Sequence, residues 1–412
     1  MSKKHYIRCS LHQSYYDSDI DIIQLKMFRQ MEESVGEIRG ITTIPGVKLD
    51  FNVGLRLEIP GGDFHVRIGD ALSERIFFEA DVSDVCLVSL EKYAIFFQID
   101  IWQGGQMVYS HTFNPEGQNI IFHCSSKALG DTLAFLPYAR LYRDKFHCQV
   151  FCWVDDYLSD FVAHLYPDIS QVQSIDDAYA TYYLGTWIGG AYGSPVDGRA
   201  YPLWQIAGAI TGVEALPPRV MMKLDCPRTI AEPYVCIGVQ ASTPRKGWHY
   251  PRGWNIVTKV LKEAGYRVIC IDKEKIFKAD GYELICPQEA EDMTGDFTLM
   301  ERAQLLSHAE CFIGLNSGLA WVAAAVNCPV VMIGGFSEYY YEFPAAYRVI
   351  NRLVCHSCFN DSRVNYMQNK MCPYHHGTVR ELECSKEISP LLVVKTVWQA
   401  LNSRFCAHGQ GK

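Results

Sequence analysis

Three short stretches of this chain hold the residue types that group transfer to a hydroxyl requires. The first, Phe122-His123-Cys124-Ser125-Ser126-Lys127-Ala128-Leu129-Gly130-Asp131-Thr132, runs from an apolar strand through a small-residue turn into a helical pattern. Asp131 has two readings there. It can stabilise its own helix start through the positive end of the dipole, or it can stand in a cleft as a general base. A sugar acceptor hydroxyl must lose its proton as it attacks an anomeric carbon, and a carboxylate within hydrogen-bond reach accepts it. The second stretch is Gln240-Ala241-Ser242-Thr243-Pro244-Arg245-Lys246-Gly247-Trp248. Lys246 can neutralise a diphosphate leaving group, and the Ser242 and Thr243 hydroxyls can bond phosphate oxygens; the plainer reading is a solvated basic loop. The third is Gly314-Leu315-Asn316-Ser317-Gly318-Leu319-Ala320-Trp321. It is either a tight turn or a helix start whose N–H groups hold phosphate or sugar oxygens.

A fourth group of residues suits a metal. Cys355-His356-Ser357-Cys358 is followed after thirteen residues by Cys372 and after eleven more by Cys384. Two-plus-two thiolates at this spacing read as a tetrahedral knuckle, with free or disulfide-bonded cysteines as the alternative. Four-sulfur ligation suits zinc or a single iron equally. It leaves no open position, so the metal is expected to be structural. His375 and His376 are possible substitute ligands. The stretch Phe359 to Met371 is polar and needs a staple. Its place after the last core strand predicts a loop held in shape away from the cleft.

The elements that must position these groups are legible in outline. The first 110 or so residues alternate apolar and polar positions. Val47–Ile59 reads as one long strand, and Phe64–Ile68, Asp84–Ser89, Lys92–Trp102 and Met107–His111 follow, an antiparallel sheet or small barrel. From Asn119 strands alternate with helices, which predicts parallel sheets. Ile120–His123 and Cys148–Val154 are strands, with helices over Leu129–Arg143 and Tyr157–Leu165. Pro217, Pro218 and Pro227 mark a linker near 215–232. A second series then runs Tyr234–Val239, helix Gly253–Ala264, Tyr266–Ile271, helix Leu299–Ser307, Cys311–Gly314, helix Ala320–Val326 and Val330–Ile333. A last helix covers Leu391–Leu401. Two strand–turn–helix sites far apart suggest two Rossmann-like halves facing each other across a cleft.

Composition narrows the class. The chain has 412 residues, 49% hydrophobic and 20% charged, enough for two or three cored domains. A net charge of −8 argues against a general nucleic-acid-binding field. No apolar h-region follows Met1–Tyr6. The longest apolar run, Leu319–Ile333, contains Asn327 and Pro329. No signal peptide and no membrane span are expected, and the protein is read as cytoplasmic. The 16 cysteines are then not a disulfide framework.

In this order the motifs resemble the heptosyltransferases of the GT-B class that build lipopolysaccharide inner core. Gly130-Asp131-Thr132-Leu133-Ala134-Phe135-Leu136-Pro137 matches that family's G-D step with a following L-P, and Lys246-Gly247-Trp248, with Pro251 and Trp254 nearby, its K-x-W-P-like loop. Asn316-Ser317-Gly318-Leu319-Ala320-Trp321-Val322-Ala323-Ala324-Ala325 matches D-T-G-L-S-H-L-A-A-A, with Asn316 for Asp and Trp321 for His. These two changes, the β-rich start and the four cysteines resemble the bacterial autotransporter heptosyltransferases.

The resemblance implies an α/β protein with an N-terminal β-rich domain over 1–114. Rossmann-like domains follow over 115–225 (acceptor side) and 226–345 (nucleotide-sugar side), then a four-cysteine finger over 346–390 and a helix and tail over 391–412. It implies inverting transfer of heptose from ADP-heptose to Ser and Thr hydroxyls of an autotransporter adhesin, without a catalytic metal. Asp131 matches the base and Lys246 the lysine on the donor diphosphate. Ser242, Thr243, Asn316, Ser317, Gly318 and Leu319 fall on the donor side. Iron in the finger, one ion per chain, and assembly into a large ring are further implications of the resemblance. The competing expectations are a GT-B transferase for another nucleotide sugar or acceptor, and a non-catalytic adhesin-binding chaperone on the same scaffold.

Overall fold

Two four-stranded sheets come first in the chain. The computed structural model describes residues 3–7, 9, 33, 35–40, 42–52, 54–90, 95–124, 126–174, 176–188, 194–217, 219–279, 281–344, 347–364 and 372–409. One sheet has the order β1 (Lys3–Ile7), β6 (Val85–Ser89), β3 (Arg56–Ile59), β2 (Lys48–Asp50). The other has the order β5 (Arg75–Val82), β4 (Phe64–Asp70), β7 (Phe97–Gln103), β8 (Gln106–Thr112). The second sheet is antiparallel throughout, whereas β1 runs parallel to β6.

The long strand expected over Val47–Ile59 is instead a hairpin. Lys48 pairs with Glu58 and Asp50 with Arg56. Gly54, at φ 68°, adopts the left-handed conformation that the reversal needs. Buried Asp50 and Arg56 form a two-pronged ion pair at 2.7 and 2.9 Å, which holds the register inside the core. The expected Lys92–Trp102 strand begins only at Phe97, and residues 91–94 lie outside the described residues. β5 was not anticipated.

The α/β part holds two parallel sheets. The first has the order β10 (Gln149–Trp153), β9 (Asn119–Cys124), β11 (Ala180–Leu184). β14 (Ile276–Ala279) and β15 (Tyr282–Ile285) form a separate antiparallel hairpin, and the second parallel sheet has the order β16 (Glu291–Asp292), β13 (Arg267–Cys270), β12 (Tyr234–Ile237), β17 (Phe312–Gly314), β18 (Val330–Ile333), β19 (Tyr347–Val349), every pairing parallel. Strands β11, β12, β17 and β18 are buried along their whole length, as expected where helices cover both faces. Helices α1 (Leu129–Phe135), α2 (Pro137–Phe146), α3 (Asp156–Leu165) and α4 (Leu203–Thr211) flank the first sheet. Helices α5 (Gly253–Glu263), α6 (Leu299–His308), α7 (Gly318–Ala325), α8 (Glu383–Lys386) and α9 (Pro390–Gly409) follow in the second half.

The single helix expected over Leu129–Arg143 is two helices. Pro137 has no N–H to continue the ladder and its ring clashes with the preceding turn, so α1 stops and α2 starts at that residue. Among the described residues no helix is long and apolar enough to cross a membrane.

Candidate functional site

The ends of both parallel sheets open on one cavity of about 970 Å³. The starts of α1 and α7 meet at its floor. A Cβ on Gly318 would stand 2.8 Å from Cβ of Leu129, and one on Gly130 would stand 3.0 Å from Cδ1 of Trp321. The glycine of each motif therefore admits a side chain from the opposite motif. Trp321 is buried in this seam with its ring edge-on to Phe343, centroids 4.9 Å apart.

Asp131 lies one residue beyond this contact. The Ser126 and Thr186 hydroxyls stand near its carboxylate and favour its charged form, and Lys246 acts on it electrostatically from the other half. Burial outweighs these three and holds the carboxyl above its ordinary value. A carboxylate raised in this way is a better proton acceptor than a solvated one.

Lys246 ends a 3-10 turn, Pro244–Lys246, after β12, and its Nζ lies 5.7 Å from the centre of the Phe336 ring. The turn is pinned from behind: Trp248 Nε1 donates to Ile388 O at 2.9 Å and Ser385 Oγ to Gly247 O at 2.6 Å. Asp272, beyond β13, accepts Val239 N at 2.7 Å and Gln240 N at 3.3 Å and so fixes the path that leads to Lys246. Burial lifts its carboxyl to about 6. Ser242 lines the cavity. Thr243 does not. Its side-chain oxygen caps the 3-10 turn by accepting Arg245 N at 3.4 Å.

At the third motif, Asn316, Ser317, Gly318 and Leu319 all line the cavity. Asn316 is buried and donates Nδ2 to Oε1 of Glu342 at 2.7 Å and to Ser337 Oγ. Arg348 Nη1 holds the other oxygen of Glu342 at 2.9 Å. Ser317 occupies the N-cap of α7 without making the usual side-chain cap. Its Oγ, like Oδ1 of Asn316, is buried without a hydrogen-bond partner. An uncommitted serine hydroxyl at a helix N-terminus inside a cavity suits an anionic ligand.

Cys355, Cys358, Cys372 and Cys384 lie near enough to act on one another electrostatically, but their four sulfurs do not form a group within 4.8 Å. Burial, and then Cys358, Cys372 and Cys355, push the Cys384 thiol up to about 12. Thiol and imidazole donors of this kind suit a thiophilic metal such as zinc or iron. Cys355 also stands with His375 and Glu383, the three ligand atoms lying within 4.8 Å of one another. His376 bonds Glu381 at 2.6 Å instead. Residues 365–371 of the polar stretch lie outside the described residues.

The expectation that this segment lies away from the cleft is corrected. Ser357 N donates to Gly335 O at 2.7 Å and Phe359 N to Phe336 O at 3.1 Å, and Phe359 lines the cavity. Cys384 presses on Gly335, where a Cβ would meet its carbonyl at 2.5 Å.

Sequence reasoning missed Thr186, Tyr341, Glu342, Phe336, Phe359 and Asp272. Thr186 had a signal in the β-rich run Ala180–Leu184 just before it. The others sit in loops without a motif.

Two parallel sheets facing one cavity, with a partly buried carboxylate on one wall and a lysine on the other, match the layout of a GT-B-type glycosyltransferase. Comparison with known proteins narrows this further. Residues 44–105 match the N-terminal domain family of glycosyltransferase TibC, and residues 218–363 match glycosyltransferase family 9 (heptosyltransferase). The chain is 37% identical over 349 residues to the autotransporter heptosyltransferase BAHTCr of Citrobacter rodentium, covering 82% of this chain and 85% of that protein. It is 33% identical over 363 residues to the inactive autotransporter heptosyltransferase BimC of Burkholderia thailandensis, covering 85% of each. It superposes with a TM-score of 0.84 and 34% identity on a crystal structure of TibC, over 89% of this chain and 99% of that one. That protein, from enterotoxigenic Escherichia coli, is described as a dodecameric, iron-containing heptosyltransferase in complex with ADP-D-β-D-heptose. The chain belongs to the autotransporter heptosyltransferase family, as its motifs implied.

Proposed function

We propose that this chain transfers heptose from ADP-heptose to Ser or Thr hydroxyls of an autotransporter adhesin, with inversion and with Asp131 as general base. The observation that carries this reading is the approach of Asp131 and Lys246 from opposite halves into one cavity. The acceptor oxygen attacks the anomeric carbon as its proton passes to Asp131. The bond from that carbon to the diphosphate breaks, and ADP leaves with its charge met by Lys246. The N-terminus of α7 and the Ser317 hydroxyl face the same charge. Asn316, Gly318 and Leu319 line the donor side, Ser242 adds a hydroxyl, and Thr243 acts by capping the turn that carries Lys246.

The same reading divides the chain at 114, 225, 345 and 390. It places one structural metal among Cys355, Cys358, Cys372 and Cys384, iron by analogy with TibC. A ring of subunits working in the cytoplasm follows from the same analogy.

Binding without transfer is the second reading, favoured by the inactive relative. One assay separates the two: ADP release from ADP-heptose with a purified adhesin passenger. Wild type is expected to turn over. Asp131→Asn is expected to lose roughly 10²–10⁴ in rate while binding ADP normally. Lys246→Ala is expected to lose ADP affinity and rate together. A wild type that binds ADP-heptose and the passenger but releases no ADP would establish the non-catalytic reading.

A further inference from the structure

Arg199 stands between β11 and α4 and does not line the cavity, yet its side chain reaches the half that carries Lys246. It is buried, and each of its five N–H groups has a partner. Nε and Nη2 donate to the Asp197 carboxylate at 3.0 and 2.7 Å. Nη1 reaches the carbonyls of Val364 at 2.8 Å and Asp361 at 3.2 Å, and Nη2 that of Ser362 at 3.2 Å. A return bond runs from Asn360 Nδ2 to Arg199 O at 2.7 Å. The segment that offers the arginine is itself seated on the end of the first sheet. A Cβ on Gly198 would stand 3.2 Å from the backbone of Thr186, just beyond β11.

The segment that Arg199 holds leads to the donor side. Residues 361–364 belong to no helix or strand, so the guanidinium supplies carbonyl partners that no ladder provides. Asn360 Oδ1 accepts Glu338 N at 2.8 Å, and Phe359 N donates to Phe336 O at 3.1 Å. The Phe359 ring packs on those of Phe336 and Tyr341, with centroids 5.2 and 4.6 Å away. Tyr341 is tied to the first half as well, because Leu203 N donates to its carbonyl at 2.6 Å. Phe336 in turn stands under two cations, with Lys246 Nζ 5.7 Å and the Arg245 guanidinium 5.5 Å from its ring centre. Apolar packing is non-directional. The place of these rings is therefore set by the backbone bonds on either side of them, and Arg199 gathers three of the carbonyls.

We propose that Arg199 is a positioning residue for donor binding. From the first half it fixes residues 360–364, and through Phe359 and Phe336 it holds Lys246 toward the diphosphate. The proposal rests on the reading of Lys246 as the lysine on the donor. A wall free to shift would leave Lys246 in the binding position for only part of the time, and apparent affinity falls by that fraction.

The test is ADP affinity by calorimetry on the full chain, well below the unfolding temperature that a thermal scan gives for each variant. Arg199→Met, Arg199→Lys and Asn360→Ala are compared alone and combined with Lys246→Ala. Arg199→Met and Asn360→Ala should weaken ADP binding by roughly 5- to 50-fold, the scale of coupling between separate sites. Arg199→Lys keeps the charge beside Asp197 but cannot fork across three carbonyls, and should fall between these and wild type. In the Lys246→Ala background the same factors should be clearly smaller, because the route ends at the ammonium that has been removed. A loss of stability alone would leave the affinity of the folded protein unchanged. Wild-type affinity in folded Arg199→Met, beside weak binding by Lys246→Ala, overturns this proposal alone, and so does an equal factor in both backgrounds. Wild-type affinity in Lys246→Ala overturns the donor reading as well. If Arg199→Met does not fold, Arg199→Lys and Asn360→Ala carry the same comparison.

Discussion

Asn316 donates its side-chain amide to Glu342 at 2.7 Å, inside a buried network that Arg348 completes. The lipopolysaccharide heptosyltransferase motif has Asp where this chain has Asn316. Here a carboxylate at that position would face the carboxylate of Glu342. The change from Asp to Asn is therefore accounted for by where this chain keeps its acid.

Asn316→Asp should accordingly damage the protein although it restores the family's residue. Two carboxylates sharing a buried site force one to hold a proton, so the loss should grow as pH rises through neutrality. It should reach roughly 1–3 kcal/mol, the scale for an unsatisfied buried polar group. Denaturant unfolding measures this, and adding Glu342→Gln should recover most of it by exchanging donor and acceptor. Equal stability of Asn316→Asp and wild type at pH 8 would sink the argument.

The glycines of the two motifs lead to a second expectation. Gly318→Ala brings a Cβ to 2.8 Å from the Cβ of Leu129, an atom tied to its own backbone. Overpacking of that kind costs about 1–3 kcal/mol. Gly130→Ala meets only the edge of the Trp321 indole at 3.0 Å and should cost less. Thermal unfolding ranks the two variants, and the reverse order would show that the seam yields at Leu129 more easily than at the indole.

Much of the site was legible because its main groups follow strand ends. Asp131, Lys246 and Ser317 each come just after an apolar run and a small-residue turn, and a parallel sheet carries such turns to one edge. The spacing of the four cysteines pointed to a metal site, whereas the ligand atoms that come within 4.8 Å of one another among the described residues are those of Cys355, His375 and Glu383. Glycine 54 was harder to place, because a long alternating run hides a reversal that only its backbone conformation reveals. Tyr341 and Glu342 were not legible, since they depend on the docking of residues 197–203 onto a loop with no periodicity. Thr243 shows the limit of motif reading. The residue type was right for a phosphate, but its oxygen is committed to the turn that carries Lys246.

Asp272 predicts a pH effect. Its carboxyl is raised to about 6 by burial, above the value of about 3.9 in an unfolded chain. Between those values the native state holds more protons than the unfolded state. This group's contribution is therefore fully favourable below about pH 4 and is lost as pH rises through 6. The difference in unfolding free energy between wild type and Asp272→Asn should change by roughly 3 kcal/mol across that window. A pH-independent difference in denaturant titrations at pH 4, 5 and 6 would contradict the raised value.

The cysteine cluster ties the last expectation to the cavity itself. Wild type purified without chelator should carry one metal per chain by elemental analysis, iron before zinc. Cys355→Ser, Cys358→Ser, Cys372→Ser and Cys384→Ser should each lose it, because every one removes a thiolate from a closed set. His375→Ala and Glu383→Gln should keep it, which separates the four-thiol set from the trio Cys355, His375 and Glu383. The loss should also reach the donor site. Phe359 follows Cys358 directly in the cavity wall, and Cys384 packs on Gly335 beside Phe336 under Lys246. ADP affinity should therefore fall in the four serine variants, by calorimetry, in step with their metal content. Metal-free wild type would refute the site, and metal kept in two serine variants but lost in His375→Ala would move it to the trio. Unchanged ADP affinity in metal-free variants would show that the cavity wall stands without the cluster.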